Sequence, residues 1–322
     1  LVDHSAKVAE KIRISGGGRC NFTNIHCKPE NFLSQNPHFA RSALARYTPQ
    51  DFIKLVESYG IAYHEKTLGQ LFCDNRAQQI IDMLKSECDK GGVELRMETS
   101  VSSVEQTGDG FRLNVLKESI SAKSLVIATG GLSVPKIGAS PFGYRIAEQF
   151  GHTIVPPRPA LVPLSFEPET IEQFGDLSGV SLDAEVSCNG GRFREAILLT
   201  HRGLSGPAIL QISSYWQGGD KLNIDLLPGR DAEDWLLSQH KSKTQIDNAL
   251  TEIFSKRFAQ AWCAQLGEVK PLNQYSEKAL REFAQGLHNW QVRPSGTLGY
   301  NKAEVTIGGV STEKISSKTM ES

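Results

Sequence analysis

The chain has 322 residues, 39% of them hydrophobic, and carries 35 Lys and Arg against 36 Asp and Glu for a formal net charge of -1. That length exceeds the commonest single-domain size, so two units, or one domain interrupted by another, are expected. The balanced charge gives no long-range electrostatic argument for a nucleic-acid partner or an anionic membrane, and leaves room only for a local patch. Six cysteines, Cys20, Cys27, Cys73, Cys88, Cys188 and Cys263, are scattered without a C-x-x-C pair. Zinc ligands usually come in close pairs, so no metal is expected and the thiols read as reduced core residues of a cytoplasmic protein. No apolar run approaches the roughly 20 residues that span a bilayer.

Leu1-Val2-Asp3 reads as an apolar strand end carrying a carboxylate, the feature with which a dinucleotide fold grips a ribose hydroxyl. Ser15-Gly16-Gly17-Gly18-Arg19-Cys20-Asn21 then strips three successive Cβ atoms from a turn. Its backbone can take positive φ and bring N–H groups to an anion, while Arg19 adds a permanent planar charge. A dinucleotide fold places its G-x-G-x-x-G turn about 20 residues before such an acidic position. No such turn follows a strand later, so the chain is read as opening at the second strand.

Thr48 caps a helix with Pro49 in its first turn and Phe52, Leu55, Val56 and Tyr59 on one face, ending at Gly60. A second helix near Ala77 to Lys90 carries Ile80, Ile81, Leu84 and Cys88 and breaks at Gly91-Gly92. His64-Glu65-Lys66 reads as a solvated loop. The segments Val93 to Met97, Ser100 to Val104 and Phe111 to Val115 alternate as strands, the last two joined at Gly108-Asp109-Gly110. Ser124-Leu125-Val126-Ile127-Ala128 is a continuous apolar run that predicts a central parallel strand running into Thr129-Gly130-Gly131, where open α/β sheets bind ligands.

Pro156-Pro157-Arg158-Pro159 marks a boundary, since residues before proline are driven extended. Beyond it, Val162 to Phe166, Ala184 to Cys188, Ala196 to Leu199 and Lys221 to Leu227 predict an antiparallel sheet or small barrel, interrupted by a helix that Ser205 caps. Residues 231–290 read as helical around Trp235, Leu236, Leu250, Ile253, Phe254, Phe258, Trp262, Leu280 and Phe283, and a strand at Ala303 to Ile307 leads into Gly308-Gly309. His201, beside Arg202 in a short polar segment, is either a proton carrier or a structural histidine. Cys20, next to Arg19, is a candidate for a lowered thiol pKa, but a redox disulfide wants a close partner and Cys27 lies seven residues on, so both cysteines read as structural.

Three motifs coincide in order: Ile14 to Asn24, Ala128 to Pro135 with Gly143-Tyr144 downstream, and Thr200 to Pro207, followed by Val305 to Val310. With them the chain resembles the BaiN/aminoacetone-oxidase-like family of bacterial FAD-dependent oxidoreductases over nearly all its length. The resemblance implies an α/β, glutathione-reductase-like FAD-binding fold with two inserts. Residues 1–157 would form the first part of the FAD domain, 158–230 a β-rich insert, 231–295 a helical insert and 296–322 the return. It implies further that Asp3 holds the adenosine ribose, Ser15, Gly16, Gly17, Gly18, Arg19 and Asn21 wrap the pyrophosphate and flavin side, and Val101 meets adenine through its backbone. Ala128, Thr129, Gly130, Gly131, Gly308 and Gly309 then lie along the cofactor.

The expected cofactor is FAD, with NAD(P)H a candidate electron donor. The expected substrate is a small organic molecule, reduced at an activated C=C bond or oxidised as an amine, with no nucleic acid and no membrane. A non-catalytic, nucleotide-binding remnant is the alternative, because the family's N-terminal G-x-G-x-x-G and C-terminal flavin segment do not occur in these residues. An RNA-modifying flavoprotein is disfavoured by the near-zero net charge.

Overall fold

The computed structural model describes residues 1–116 and 118–322. Two units emerge: Leu1–Gly131 with Pro135–Pro157 and Gly308–Ser322, and Leu132–Val134 with Arg158–Ile307. The strands Ile154–Ala160 and Val305–Val310, which pair with one another, each run from one unit into the other. The prolines of the first strand are tolerated because a two-stranded ribbon leaves free edges.

In the first unit the helix Pro49–Ser58 starts as its sequence dictates. Thr48 Oγ1 accepts from Asp51 N–H at 3.3 Å, and the Asp51 carboxylate accepts in return from Thr48 N–H at 2.9 Å and Oγ–H at 2.7 Å. These bonds hold the Asp51 carboxyl below its ordinary range, the hydroxyl contributing more than the amide. Ile53 and Val56 from this helix, and Ile80, Ile81 and Met83 from Gln78–Lys90, point inward with Cys20 and Cys73. Leu84 and Cys88, expected on the buried stripe, are half-buried, and Met83 is buried in addition to Ile80 and Ile81. Each buried aliphatic side chain contributes about 1.5–3 kcal/mol.

A three-stranded sheet lies beside these helices, with Gln70–Cys73 between Asn21–Asn24 and Tyr63–Glu65. His64 is therefore in a strand rather than a loop; its Nδ1 lies 2.7 Å from Asp74 Oδ1 and its ring stacks on Phe72. The hairpin at Gly108-Asp109-Gly110 forms as expected, Val101–Thr107 pairing with Gly110–Val115, which pairs on its other edge with Glu118–Ala122. Two expected strands do not form. Val93 to Met97 contributes a parallel bridge between Val2 and Arg96 and no extended strand. Ser124 to Ala128 forms no strand, Ser124 lying in a bend and the rest in irregular backbone, with Val126 83% exposed. A parallel strand reads as continuously apolar because neighbours cover both faces and both edges; no strand pairs with this run among the described residues.

The second unit is built on a seven-stranded antiparallel sheet. Its order is Trp290–Val292, Leu222–Asp225, Ser181–Cys188, Gly191–Thr200, Gly203–Ser205, Leu164–Ser165, Gly296–Thr297. Leu182, Ala184, Val186 and Cys188 alternate inward, while Asp183 and Glu185 face out to meet Arg194 at 3.1 Å and Arg192 at 2.7 Å. The inward face packs with the helices of residues 232–288 into one core, where Phe174, Trp262, Trp290 and Phe258 touch with ring centroids 5.1–6.2 Å apart. The interrupting helix, Pro207–Ile212, is preceded by Gly206 at φ 91, and Ser205 ends a strand without capping it. No helix among the described residues is long and apolar enough to cross a membrane.

Candidate functional site

The triple-glycine turn follows the short helix Glu10–Ile14 and runs through left-handed backbone at Gly16, Gly17 and Gly18, with φ of 56, 65 and 85°. It is anchored on three sides. Cys20 N–H donates to Ser15 O at 3.1 Å, Cys73 N–H to Arg19 O at 3.1 Å, and Ala77 N–H to Gly18 O at 2.8 Å. Arg13 ties the preceding helix to Gln78–Lys90 by donating to Gln78 Oε1 at 2.5 Å. A Cβ on Gly16 would lie 2.8 Å from both Asn21 N and Phe72 Cε1, so this glycine is demanded by packing as well as by φ. On Gly17 a Cβ would meet nothing within 4 Å, and the space it would fill is open to a ligand.

Arg19 lies on the exposed side, and among the described residues its guanidinium makes no hydrogen bond. Cys20 points the other way into the core, and burial pushes its thiol up despite a hydrogen bond with Ser15. Arg19 does not lower it, because adjacent residues face opposite sides of the turn, and the buried Cys20 agrees with the structural reading. Cys73 is pushed up to about 11, first by burial and then by the neighbouring Cys20. Beside the turn lies a groove of about 250 Å³ with Lys11, Ser15 and Asn21 among its polar lining and Ile12, Phe22, Phe52, Ile80 and Leu84 as its apolar part. A left-handed glycine run, an open Cβ position and an unengaged guanidinium fit a diphosphate.

Asp3 sits where Leu1 to Ser5 runs beside residues 94–99. Arg96 N–H donates to Leu1 O at 2.8 Å, Asp3 N–H to Arg96 O at 3.0 Å and Thr99 N–H to Asp3 O at 2.9 Å. One carboxylate oxygen accepts from Ser5 N–H at 2.8 Å. Val101 opens its strand two residues after Thr99, so the structure brings Asp3 and Val101 into one neighbourhood.

A third group gathers at the helix Phe142–Gln149. A Cβ on Gly143 would overlap the Thr129 hydroxyl, and one on Gly309 would sit 3.5 Å from the Tyr144 ring, whose phenol burial pushes up. Gly308 is explained by strand pairing: its missing Cβ would lie 2.5 Å from Pro156 O and 2.8 Å from Val155 O. Ala128, Thr129 and Gly130 are exposed, Gly131 is half-buried, and Gly130 has φ 70 with open space at its Cβ position. Tyr144 follows Gly143 in the second motif, and only the fold shows its ring against Gly309.

In the second unit, Thr200 organises a tight hairpin. Its hydroxyl donates to Gly203 O at 3.0 Å and accepts from Gly203 N–H at 3.1 Å. His201 and Arg202 stand exposed at the tip, and among the described residues neither side chain makes a hydrogen bond. His288 is different. Its Nδ1 lies 2.8 Å from Asp225 Oδ1 and its Nε2 accepts from Ala232 N–H at 3.1 Å, which ties it to the start of the helix Ala232–Ser238. A 590 Å³ cavity borders it, with Asp231, Glu233 and Asp234 on its wall. Among the described residues no group of His, Cys, Asp and Glu could hold a metal.

Comparison with known proteins extends these observations to the whole chain. The family described as HI0933-like protein Rossmann domain matches residues 1–322. A ribosomal RNA dihydrouridine synthase of Escherichia coli K12 is 50% identical over 329 residues, covering 100% of this chain and 81% of that protein. One of the same name from Haemophilus influenzae is 47% identical over 330 residues, covering 100% and 82%. A 3-dehydro-bile acid delta(4,6)-reductase of Clostridium scindens is 24% identical over 342 residues, covering 100% and 82%. The chain belongs to the HI0933-like Rossmann-domain family and has the α/β fold of an FAD-binding flavoprotein.

Proposed function

We propose that this protein is a FAD-dependent reductase that saturates the C5=C6 bond of a uridine in ribosomal RNA. The observation that carries the reading is identity of 50% and 47%, across the entire chain, to two proteins named for that product. The Clostridium name also describes a reductase of carbon–carbon double bonds, which favours reduction over amine oxidation. The reading takes the RNA side against the expectation drawn from net charge, since total charge says nothing of a local patch. It also places the protein in the cytoplasm with the ribosomes.

The chain's residues divide the work. The amides and open face of the triple-glycine turn, with Arg19, hold the cofactor's diphosphate, and Asp3 holds a ribose hydroxyl through its remaining carboxylate oxygen. Bound FAD supplies the hydride chemistry, with NADH or NADPH as the donor that reduces it. In uracil the C4 carbonyl is conjugated with C5=C6, so hydride adds at C6 and a proton is required at C5. His201, unengaged at its hairpin tip, is the proposed proton donor.

The test is to incubate flavin-loaded protein and NADPH or NADH with transcribed ribosomal RNA, digest it, and look by mass spectrometry for nucleosides that have gained two hydrogens. Dihydrouridine at a defined position supports the reading. Reduced flavin that reoxidises on small enones and never on RNA refutes it in favour of a small-molecule reductase. Failure to bind flavin at all points to the nucleotide-binding remnant.

A further inference from the structure

The segment from His26 to Tyr47 leaves the strand Asn21–Asn24 just after the triple-glycine turn and has an excess of cations. It carries Lys28, Arg41 and Arg46 against Glu30, with His26 and His38 besides, in a protein whose totals balance at 35 and 36. Three of its large apolar side chains are left in water: Phe32 is 46% exposed, Leu33 45% and Tyr47 53%.

These side chains are held in place by the backbone beneath them. Cys27 N–H donates to Asn24 O at 3.1 Å and Lys28 N–H to Asn31 Oδ1 at 3.0 Å. Asn36 Nδ2 donates to Thr312 Oγ1 at 3.2 Å, and Arg46, at the end of the helix Arg41–Arg46, donates to the Lys318 carbonyl. The Tyr47 ring keeps one neighbour, Phe52, at 6.4 Å between centroids.

Exposed rings set among cations match the two faces of a single-stranded nucleic acid, whose bases stack on aromatic side chains while its phosphates pair with Lys and Arg. We infer that residues 26–47 form a docking surface for single-stranded RNA, the means by which the protein holds its substrate strand. This inference rests on the RNA reading proposed above.

Fluorescence anisotropy of the full, flavin-loaded chain with a labelled single-stranded RNA oligonucleotide, measured across a salt series, tests it. Phe32→Ala with Tyr47→Ala is expected to weaken binding by roughly tenfold or more, from the loss of stacked bases. Lys28→Gln with Arg41→Gln is expected to reduce the slope of log affinity against log salt by about 1.4, at about 0.7 per phosphate released. Phe32→Tyr and Tyr47→Phe, which keep the rings, bind as the parent does. Flavin absorbance and thermal unfolding report whether each variant is folded, and should Tyr47→Ala unfold, Phe32→Ala and the charge variant carry the test.

If the parent binds RNA and the folded variants bind equally well, the docking surface is wrong while the RNA reading stands. If the parent binds no RNA, the RNA reading fails and the inference falls with it. If sedimentation shows self-association that Phe32→Ala abolishes with RNA binding intact, the surface belongs to a second copy of this chain and the inference is overturned.

Discussion

Alanine at Gly16 and at Gly17 separates what the glycine turn does for folding from what it does for a ligand. Both positions lie in left-handed backbone, at φ 56 and 65°, where a side chain costs about 1–2 kcal/mol. Gly16→Ala also drives a Cβ to 2.8 Å from the Asn21 amide nitrogen and the Phe72 ring, and Asn21 cannot yield without disturbing its strand's pairing with Gln70–Cys73. Overpacking of that kind adds about 1–3 kcal/mol, for a total of about 2–5 kcal/mol. Gly17→Ala meets no protein atom within 4 Å and should stop at the backbone term. Its methyl group nevertheless occupies the space assigned to the diphosphate, so flavin affinity should fall at least tenfold while the fold survives. Urea unfolding gives the first quantity and flavin fluorescence titration the second. If Gly16→Ala is no more destabilising than Gly17→Ala, the packing argument is wrong; if Gly17→Ala binds flavin like the parent, the turn is not the cradle.

Thr48→Ala removes the helix cap and should cost about 1 kcal/mol in urea unfolding. The folded Asp51 carboxyl is held low, so its stabilisation is present above the unfolded carboxylate value and is lost as pH falls through the folded one; the gap between Thr48→Ala and the parent should narrow in acid. The Cys73 thiol runs the other way. Being raised to about 11, it favours the fold fully below the ordinary thiol value, and that contribution is lost as pH rises toward 11, a decline that Cys73→Ala should lessen. In the native protein an alkylating reagent should reach the half-buried Cys27 and Cys88 before the buried Cys20 and Cys73. His201→Gln should leave the unfolding midpoint unchanged and lower the rate of uridine reduction by about 10²–10⁴; an unchanged rate removes the histidine from the chemistry.

Signals that act within a few residues were legible in the chain. The Thr48-Pro49 start, the Gly108-Asp109-Gly110 hairpin and the left-handed triple glycine depend on local sterics and on hydrogen bonds spanning a turn, and each takes the predicted form. The inward residues of the helical stretch from Trp235 to Leu280 follow from periodicity for the same reason. Tertiary structure decided whatever depends on a distant partner. Ser124 to Ala128 has the composition of a buried strand, yet pairing comes from neighbours that composition does not supply. Cys20 follows Arg19 in sequence but faces the core, so burial and not the guanidinium sets its thiol. The place of Leu164–Ser165 between Gly203–Ser205 and Gly296–Thr297 joins segments far apart along the chain, and the outward rings of Phe32 and Tyr47 are visible only once it is known which apolar residues the cores leave behind. Backbone geometry is written in adjacent residues, whereas burial belongs to the whole assembly of side chains and exists only after the chain has folded.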